Sequence, residues 1–350
     1  MAKQRIPYID LLKTIAIFLV ITLHSGTWHT DFISLGSWQS MGQYCVRLFC
    51  EGVPIFMLIN GFLMFDRPFD AKKHMRRTLR VVFIILLWSL IMDVSITLIK
   101  GEPLTLRSVV DSVLHTDINN SHTGVLWFLQ KLVVVYLVFP VLKHLYDTKQ
   151  KLFDYLLLVL MVSTYGINLL SLVAGVVDKS LLHGVVFFCK QYSLVLGTNI
   201  YVIYFMLGGY LYRNMETMPK RKYAVAGLVS AVLTCLLGVS VSFYKGATYS
   251  AAFNYSQIFL LFTVVGLFFV CSRLPLHNRL LNRALSSVGD NTMGIYLLHK
   301  IVIAVIDKKV DIAACSLAER MALSLLVLFV SWGLTVLIRK IPKVSCIIKL

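Results

Sequence analysis

Asp10, Lys13 and His24 lie within the first long apolar run of the sequence. Ionisable side chains are rare in such runs and generally mark a functional site. Lys13 and His24 are eleven residues apart, about three helical turns, so both project from nearly the same face of a helix. Their separation along the helix axis is roughly 16 Å. One helix face therefore carries a cation, Lys13, near one membrane surface and an imidazole, His24, deep in the membrane. A neutral imidazole can act as a general base, so His24 is a candidate for that role.

Structural explanations exist for the same three residues. Asp10 and Lys13 are three residues apart and can form an ion pair on the helix surface, which lowers the free-energy cost of burying either side chain. A histidine that bonds to a neighbouring helix is the corresponding explanation of His24. Lys13 nevertheless lies close enough to the predicted inner surface to contact an anionic ligand that enters from that side.

The segment after the second apolar run is the most basic of the chain and reads DRPFDAKKHMRRTLR. Arg76, Arg77 and Arg80 cluster within it, and the planar guanidinium suits phosphate. One interpretation is therefore a binding site for a polyanion such as a nucleotide cofactor. The other is a topology signal at the membrane surface, because cytoplasmic loops are rich in Lys and Arg.

Further polar and aromatic residues lie in the later apolar runs. Asn60 in the second run can hydrogen-bond across helices, and Trp127 opens the fourth, where tryptophan is usually an interface anchor. Tyr296 and His299 are three residues apart in the ninth run and share one helix face. Asp93 in the third run is a buried carboxylate for which the sequence indicates no partner.

The composition identifies the element that must hold these residues as a polytopic helical membrane bundle. Of the 350 residues, 58% are hydrophobic and only 15% are charged, whereas a soluble domain has about 25% charged residues. Long apolar stretches recur throughout, so residues 1–350 are predicted to form a single integral-membrane domain. We interpret the first run as an uncleaved span, because it contains Asp10 and Lys13.

The hydropathy pattern predicts an all-α fold with ten membrane spans. They cover residues 9–29, 46–65, 80–99, 125–143, 153–174, 197–212, 223–243, 254–272, 290–306 and 320–338. About twice as many of the 34 Lys and Arg residues lie on the N-terminal side of the membrane as on the other side. The positive-inside rule therefore predicts that both termini are cytoplasmic and that the number of spans is even.

Several function classes are excluded by the same patterns. The net charge of +17 does not indicate a nucleic-acid binder, since the basic residues lie in alternate loops beside membrane spans. The seven cysteines form no CxxC pair and no cluster with zinc spacing, so no metal site is predicted. Signatures of serine hydrolases, zinc proteases, P-loop proteins and dinucleotide-binding proteins are also absent from the sequence.

Motifs spread along the whole chain resemble the acyltransferase 3 family of membrane O-acyltransferases. The family's first-span pattern, Asp-x-x-Arg followed by ten residues and His, is similar to Asp10-Leu-Leu-Lys13 and His24. Four later matches follow in order: Val53-Pro-Ile-Phe to Leu63 in the second span, Arg77-Thr-Leu-Arg80, Leu126-Trp-Phe-Leu129 with Pro140, and Gly294 to His299. Lys13 stands where the family usually has Arg, and Asn60 where it usually has Ser.

The resemblance implies a transfer reaction. The family takes an acyl group, usually acetyl, from cytoplasmic acyl-coenzyme A and delivers it to a hydroxyl of a cell-envelope glycan or lipid-linked sugar. Acyl-coenzyme A is then a donor substrate, no cofactor is bound permanently, and the partners are this donor, the saccharide acceptor and membrane lipids, with no nucleic acid.

The resemblance also implies roles for individual residues. His24 would be the general base or the residue that first accepts the acyl group, with Asp10 and Lys13 orienting the inner end of the site. The donor's phosphates would be held by basic residues, namely Lys13, Arg76, Arg77 and Arg80. Acceptor binding and the shape of the site would depend on Asn60, Trp127, Tyr296 and His299.

Two other classes remain open at this point. A transporter or flippase explains Asp10, Lys13 and Asp93 as a proton or substrate pathway, but it does not explain the arginine cluster, and no inverted repeat is visible in the sequence. A catalytically inactive scaffold of an envelope-synthesis complex is suggested only by Lys13 and Asn60. The acceptor sugar, the acyl group and the oligomeric state are not indicated by the sequence.

Overall fold

The computed structural model of the chain describes residues 5–25, 31–50, 52–114, 122–177, 180–191, 199–249, 255–342 and 345–348. Within these ranges the chain is helical or irregular and contains no strand, which confirms the predicted all-α class. The α-helices are α1 (Pro7–His24), α2 (Phe32–Leu35), α3 (Trp38–Leu48), α4 (Gly52–Phe65), α5 (Ala71–Lys100), α6 (Leu106–Leu114), α7 (Trp127–Thr148), α8 (Gln150–Met161), α9 (Ile167–Val177), α10 (Ser180–Gln191), α11 (Asn199–Asn214), α12 (Lys220–Lys245), α13 (Ile258–Arg273), α14 (Arg279–Asp307) and α15 (Leu317–Arg339).

Seven helical stretches of the described chain are long and apolar enough to cross a membrane. They are Pro7–His24, Trp38–Phe65, Ala71–Lys100, Gly124–Thr148, Gln150–Val177, Lys220–Lys245 and Leu317–Arg339. The apolar helix α13 is shorter. Helices lie at each of the ten predicted positions, but α11 and α14 are outside this set, so ten spans and cytoplasmic termini stay predictions. Several predicted span ends, at 26–29, 197–198 and 254, lie outside the described residues.

The chain divides into two compact units. Unit 1 consists of Met1–Trp28, Phe69–Val138 and Leu276–Leu350. It contains α1, α5, α6, the first half of α7, α14 and α15, and within it α1 packs on both α14 and α15. Unit 2 consists of His29–Pro68 and Phe139–Pro275. The prediction of a single membrane domain is not tested by this division.

The helix ends of unit 1 follow from local sequence. The side chain of Asp70 accepts a hydrogen bond from the backbone N–H of Lys73 at 3.0 Å and so caps α5. Gly101 ends the same helix in the left-handed region at φ 77°, where glycine is favoured. Ser316 and Glu319 form a reciprocal capping box at the start of α15. These caps determine where α5 and α15 begin and where α5 ends. They therefore determine which side chains of the two helices lie at the same height along the bundle.

Unit 2 is held by close helix packing. Gly61 of α4 lies against the backbone of Phe205 in α11, and Gly227 of α12 lies against Gly266 of α13. Small residues at such positions let two helix backbones approach each other, which is typical of membrane helix pairs. Lys143 is buried in this unit, where its ammonium donates to the carbonyl of Phe65 at 2.9 Å and to Asp147 at 2.6 Å.

Candidate active site

Helices α1 and α14 bring two of the predicted site residues together. The ring centroids of His24 and His299 are 5.5 Å apart, with the ring planes inclined by 40°. His299 is completely buried, and His24 is half-buried. Two imidazoles therefore meet in the interior of unit 1, on helices that are far apart in the sequence.

The hydrogen bonding of His299 determines its tautomer. Its Nδ1 lies 2.5 Å from the backbone carbonyl oxygen of Tyr296. A carbonyl oxygen only accepts, so Nδ1 carries the proton and the lone pair of the neutral ring is on Nε2. Nε2 is buried and has no hydrogen-bond partner among the described residues. Because buried polar atoms are nearly always paired, this lone pair marks a place where a donor such as a hydroxyl can bind.

Tyr296 anchors α14 at the same level. Its hydroxyl donates to the backbone carbonyl of Val125, in the short 3₁₀ turn that precedes α7. Its ring packs 5.6 Å from that of Phe128 and 5.7 Å from that of His299, centroid to centroid. Trp127 begins α7 directly after this turn and is half-buried. The hydroxyl of Tyr296 is thus directed at the backbone, and the tyrosine holds His299 in place.

A serine pair ties the end of α1 to α15. The hydroxyl oxygens of Ser25 and Ser324 are 2.7 Å apart. One turn before Ser324, the side chain of Arg320 is completely buried, and its Nε donates to the carbonyl of Cys315 at 3.1 Å. His24 therefore lies at a helix end that is held between α14 and α15. We call this part of unit 1, which contains His24, Ser25, His299 and Ser324, the His24 end. Nothing in the sequence predicted the buried guanidinium of Arg320.

The opposite level, which we call the Arg5 end, is a network of ion pairs. Asp10 is buried, with its carboxylate 2.5 Å from Nε of Arg5 and 3.9 Å from Nζ of Lys13. The Asp10–Lys13 pair is therefore present at the limit of an ion pair, and Arg5 is the nearer partner that the sequence did not reveal. Hydrogen bonds to Asp10 and then to Asp290 raise the pKa of the Arg5 guanidinium above its usual range.

Arg5 also joins α1 to α14. Its guanidinium donates to both carboxylate oxygens of Asp290 at 3.0 Å and to the carbonyl of Ser286 at 2.9 Å. Arg339 of α15 donates to the carbonyl of Asp290 at 3.0 Å and to the side chain of Asn291 at 2.7 Å. Hydrogen bonds and ion pairs thus join α1, α14 and α15 at the Arg5 end. This network fixes the position of the Asp10 carboxylate, which is consistent with a positioning role for that residue.

The predicted phosphate-binding arginines lie in the first turns of α5, in unit 1. The guanidinium of Arg77 lies 5.2 Å from the centroid of the Tyr136 ring on α7, a cation–π contact. His74 lies 2.8 Å from the carbonyl of the same tyrosine. Arg76 is exposed, and Arg80 is half-buried. The structure therefore anchors Arg77 against α7, and Arg76 projects from an exposed face.

Asn60 lies in unit 2, whereas the other predicted site residues lie in unit 1. Its side-chain amide donates to the carbonyl of Phe56, one turn earlier in α4, at 2.9 Å. This bond satisfies a polar group within its own helix.

One group of titratable side chains was missed. Asp93, which had no predicted partner, lies 2.9 Å from Nδ1 of His122, and both residues are buried. Lys100 and Glu102 complete the group beside the imidazole. The sequence could not reveal it, because Asp93 and His122 are on different elements with no periodicity that relates them.

Comparison with known proteins gives one match. A family model described as an acyltransferase domain matches residues 6–338, from the start of α1 to the end of α15. No curated protein and no solved structure matches the chain. Every residue of the predicted site lies within the matched range.

Proposed function

Because the chain belongs to the acyltransferase 3 family of membrane acyltransferases, we propose that it transfers an acyl group from cytoplasmic acyl-coenzyme A to a hydroxyl of a cell-envelope glycan or lipid-linked sugar. The proposed group is acetyl, and the proposed location is the inner membrane with both termini cytoplasmic. We further propose that the chain is an enterobacterial common antigen O-acetyltransferase, so that glycan is the proposed acceptor.

The observation that carries this proposal is the contact between His24 and His299. Acyl transfer needs a group that takes the hydroxyl proton or carries the acyl group, and imidazole can do either. Nε2 of His299, which has no hydrogen-bond partner in the part of the chain that the structure describes, supplies a buried acceptor for a hydroxyl beside His24. Burying a polar pair of this kind in the interior of a membrane protein costs free energy, and such pairs generally mark a functional site.

Two routes use His24. In the direct route, the acceptor oxygen attacks the thioester carbon, His24 takes the hydroxyl proton, and the departing thiolate then receives it. In the covalent route, a nitrogen of His24 attacks the thioester carbon, the C–S bond breaks, and the ring proton goes to the thiolate. The acceptor oxygen then bonds to the acyl carbon, the bond from that carbon to His24 breaks, and the hydroxyl proton moves to the released ring. Both routes yield the acyl ester and free coenzyme A.

The basic residues support entry of the donor from the Arg5 end. Lys13 projects from the same face of α1 as His24, roughly 16 Å away along the axis. Coenzyme A has phosphates at one end of a flexible arm and the thioester at the other. Its phosphates would pair with Lys13, Arg76, Arg77 and Arg80 while the arm follows α1 towards His24. Asp10, bonded to Arg5, orients this end of the path.

Membrane vesicles that contain their own acceptor test the proposal directly. Radiolabelled acetyl-coenzyme A is supplied, and label in the envelope glycan is measured for the wild type, for His24→Ala and for His277→Ala. His277 is an exposed histidine of unit 1 and serves as the matched control. We expect His24→Ala to lose transfer at equal membrane abundance and His277→Ala to keep it.

Two results would contradict the proposal. Undiminished transfer by His24→Ala would remove the catalytic role of that histidine. A wild type that consumes no acetyl-coenzyme A would favour a transporter. Mass spectrometry of glycan from a deletion strain and its parent would identify the acyl group and its position.

A further inference from the structure

Two free cysteines that are far apart in the sequence meet in unit 2. Cys45 lies near the end of α3, and Cys235 lies in the second half of α12. Their thiols hydrogen-bond to each other. Both side chains are half-buried. Two sulfur atoms on different helices are therefore in contact, and neither cysteine has a role in the function proposed above.

Close packing of α3 on α12 brings the two thiols together. A Cβ at Gly238 would lie only 2.5 Å from the hydroxyl oxygen of Tyr44, so the helices approach this closely because position 238 has no side chain. Tyr44 is the residue before Cys45. Cys235 is three residues before Gly238, and such residues share one face of a helix. The face of α12 that contacts α3 therefore includes Cys235.

An apolar cluster surrounds the pair. Phe32, Tyr44 and Leu48 are buried at its centre, and Cys45 and Cys235 pack against them. A free cysteine in such surroundings often acts only as a small hydrophobic residue. That role explains each thiol by itself. It does not explain why two of the seven cysteines face each other across two helices, which is the arrangement that a disulfide needs.

Hydrogen bonds outside the pair fix α3 relative to the end of α12. The hydroxyl of Tyr44 donates to the carbonyl of Tyr249 at 3.2 Å. The hydroxyl of Thr248 donates to the carboxylate of Asp31, just before α2, at 2.6 Å. The surrounding structure therefore holds the two cysteines together, so that a bond between them needs little further movement of the chain.

The proposed topology places the pair in the half of the membrane nearer the outer surface. Cys235 is roughly 15 Å along the helix axis from Lys245, at the outer end of α12, and roughly 22 Å from Lys220, at the inner end. Disulfides persist outside the cytoplasm, whereas the cytoplasm keeps thiols reduced. Oxidants that enter from the outer surface therefore have the shorter path to the pair.

We propose that Cys45 and Cys235 form a site of reversible oxidation, at which a disulfide links α3 to α12. The co-reactant is a low-molecular-weight disulfide. One cysteine, as a thiolate, attacks a sulfur of that molecule, whose S–S bond breaks so that one half leaves as a thiolate. The other cysteine then attacks the sulfur of the first, the new Sγ–Sγ bond forms, and the second half leaves. The two cysteines lose two electrons and two protons, and the small disulfide is reduced to two thiols.

Peptide mass spectrometry of the full chain in membrane vesicles tests the proposal. The probe is dithiodipyridine, a membrane-permeant disulfide. Remaining thiols are blocked with N-ethylmaleimide, and peptides are mapped without reduction. We expect a crosslink between Cys45 and Cys235, with both residues losing the maleimide label together. Cys189, a half-buried free cysteine of unit 2 on α10, is the internal comparison and should be linked to neither.

Three variants separate the pair from the other cysteines. Cys45→Ser and Cys235→Ser each leave the remaining cysteine without its partner. That cysteine should be recovered with one pyridinethiol group or one maleimide, and in no crosslink. Cys189→Ser is the matched control and should form the crosslink to the same extent as the wild type.

A glutathione buffer distinguishes a redox site from a contact that only a strong reagent can link. The crosslink should persist with about tenfold more reduced than oxidised glutathione, because two thiols already held together lose little chain entropy on bonding. The oxidised wild type should also unfold at a higher temperature than the reduced wild type, since the crosslink restricts the unfolded chain. Cys45→Ser should show no such difference.

Three results would overturn the proposal. One is a wild type in which Cys45 and Cys235 stay unlinked, and another is a crosslink of Cys45 to Cys50 instead. The third is a crosslink that is lost in the glutathione buffer, because the two thiols would then be packing partners only. None of these results concerns acyl transfer, which is tested separately at His24.

Discussion

Nε of Arg5 lies 2.5 Å from the carboxylate of Asp10, so the acidic residue of the first span is paired with a residue that precedes that span. Lys13, the partner that helical spacing predicts, is 3.9 Å away. Because Arg5 also bonds Asp290 on α14, the interaction joins two helices. The Arg5 end of the site therefore depends on a residue outside the family's first-span motif.

Arg5→Ala should destabilise the protein by about 1–3 kcal/mol, because it leaves the buried Asp10 carboxylate without its nearest donor. Arg5→Lys should have a smaller effect, since it keeps the charge but not the planar fork. Thermal unfolding in detergent measures both. Equal unfolding temperatures for the wild type and Arg5→Ala would show that Lys13 alone compensates Asp10.

Gly289→Ala should be destabilising by about 1–3 kcal/mol, because overpacking forces neighbouring groups to move. A Cβ at position 289 would lie 2.6 Å from Oδ1 of Asp10. Gly333→Ala on α15 is the matched control, since its Cβ would meet nothing within 4 Å. That control should be neutral or more stable, because alanine favours a helix. Similar losses in both variants would argue against a special contact at Gly289.

Lys13→Ala should raise the KM for acetyl-coenzyme A by about tenfold, the effect of losing roughly 1.4 kcal/mol of phosphate binding. Its kcat should change less, because Lys13 is distant from His24 along the helix. Lys13→Arg restores the residue that is usual in the family and should keep the wild-type KM. Steady-state kinetics in vesicles measures these constants. A loss of kcat with an unchanged KM would place Lys13 in the chemical step.

His299→Phe should lower stability by about 1–3 kcal/mol, because it places a larger ring in a completely buried site and removes the Nδ1 hydrogen bond to the carbonyl of Tyr296. Glycan transfer should fall at least about tenfold, since the phenyl ring has no lone pair to place beside His24. Unfolding temperature and label transfer, measured on the same preparation, separate the two effects. Full activity of this variant would assign His299 to packing alone.

Local sequence patterns predicted much of the fold and part of the site. Hydropathy identified the membrane class and the positions of the helices, because burial of apolar stretches is a local property of the chain. Helical spacing placed Tyr296 and His299 on one face, and their rings do lie 5.7 Å apart. Motifs in chain order indicated the family to which the chain belongs.

Contacts between distant helices were outside the reach of such patterns. Arg5 with Asp290, Asp93 with His122 and His24 with His299 each join two elements. Helical periodicity relates residues a turn or a few turns apart on one helix, and it carries no information about the helix that packs against that face.

By itself, the sequence determined that this is a helical membrane protein with a lysine and a histidine on one face of its first helix. Only the tertiary structure decided which side chains complete that face. The physical reason is that close helix packing, allowed at Gly289, brings α14 against α1. Its polar groups then approach Asp10 and His24, where burial in a low-dielectric interior favours pairing.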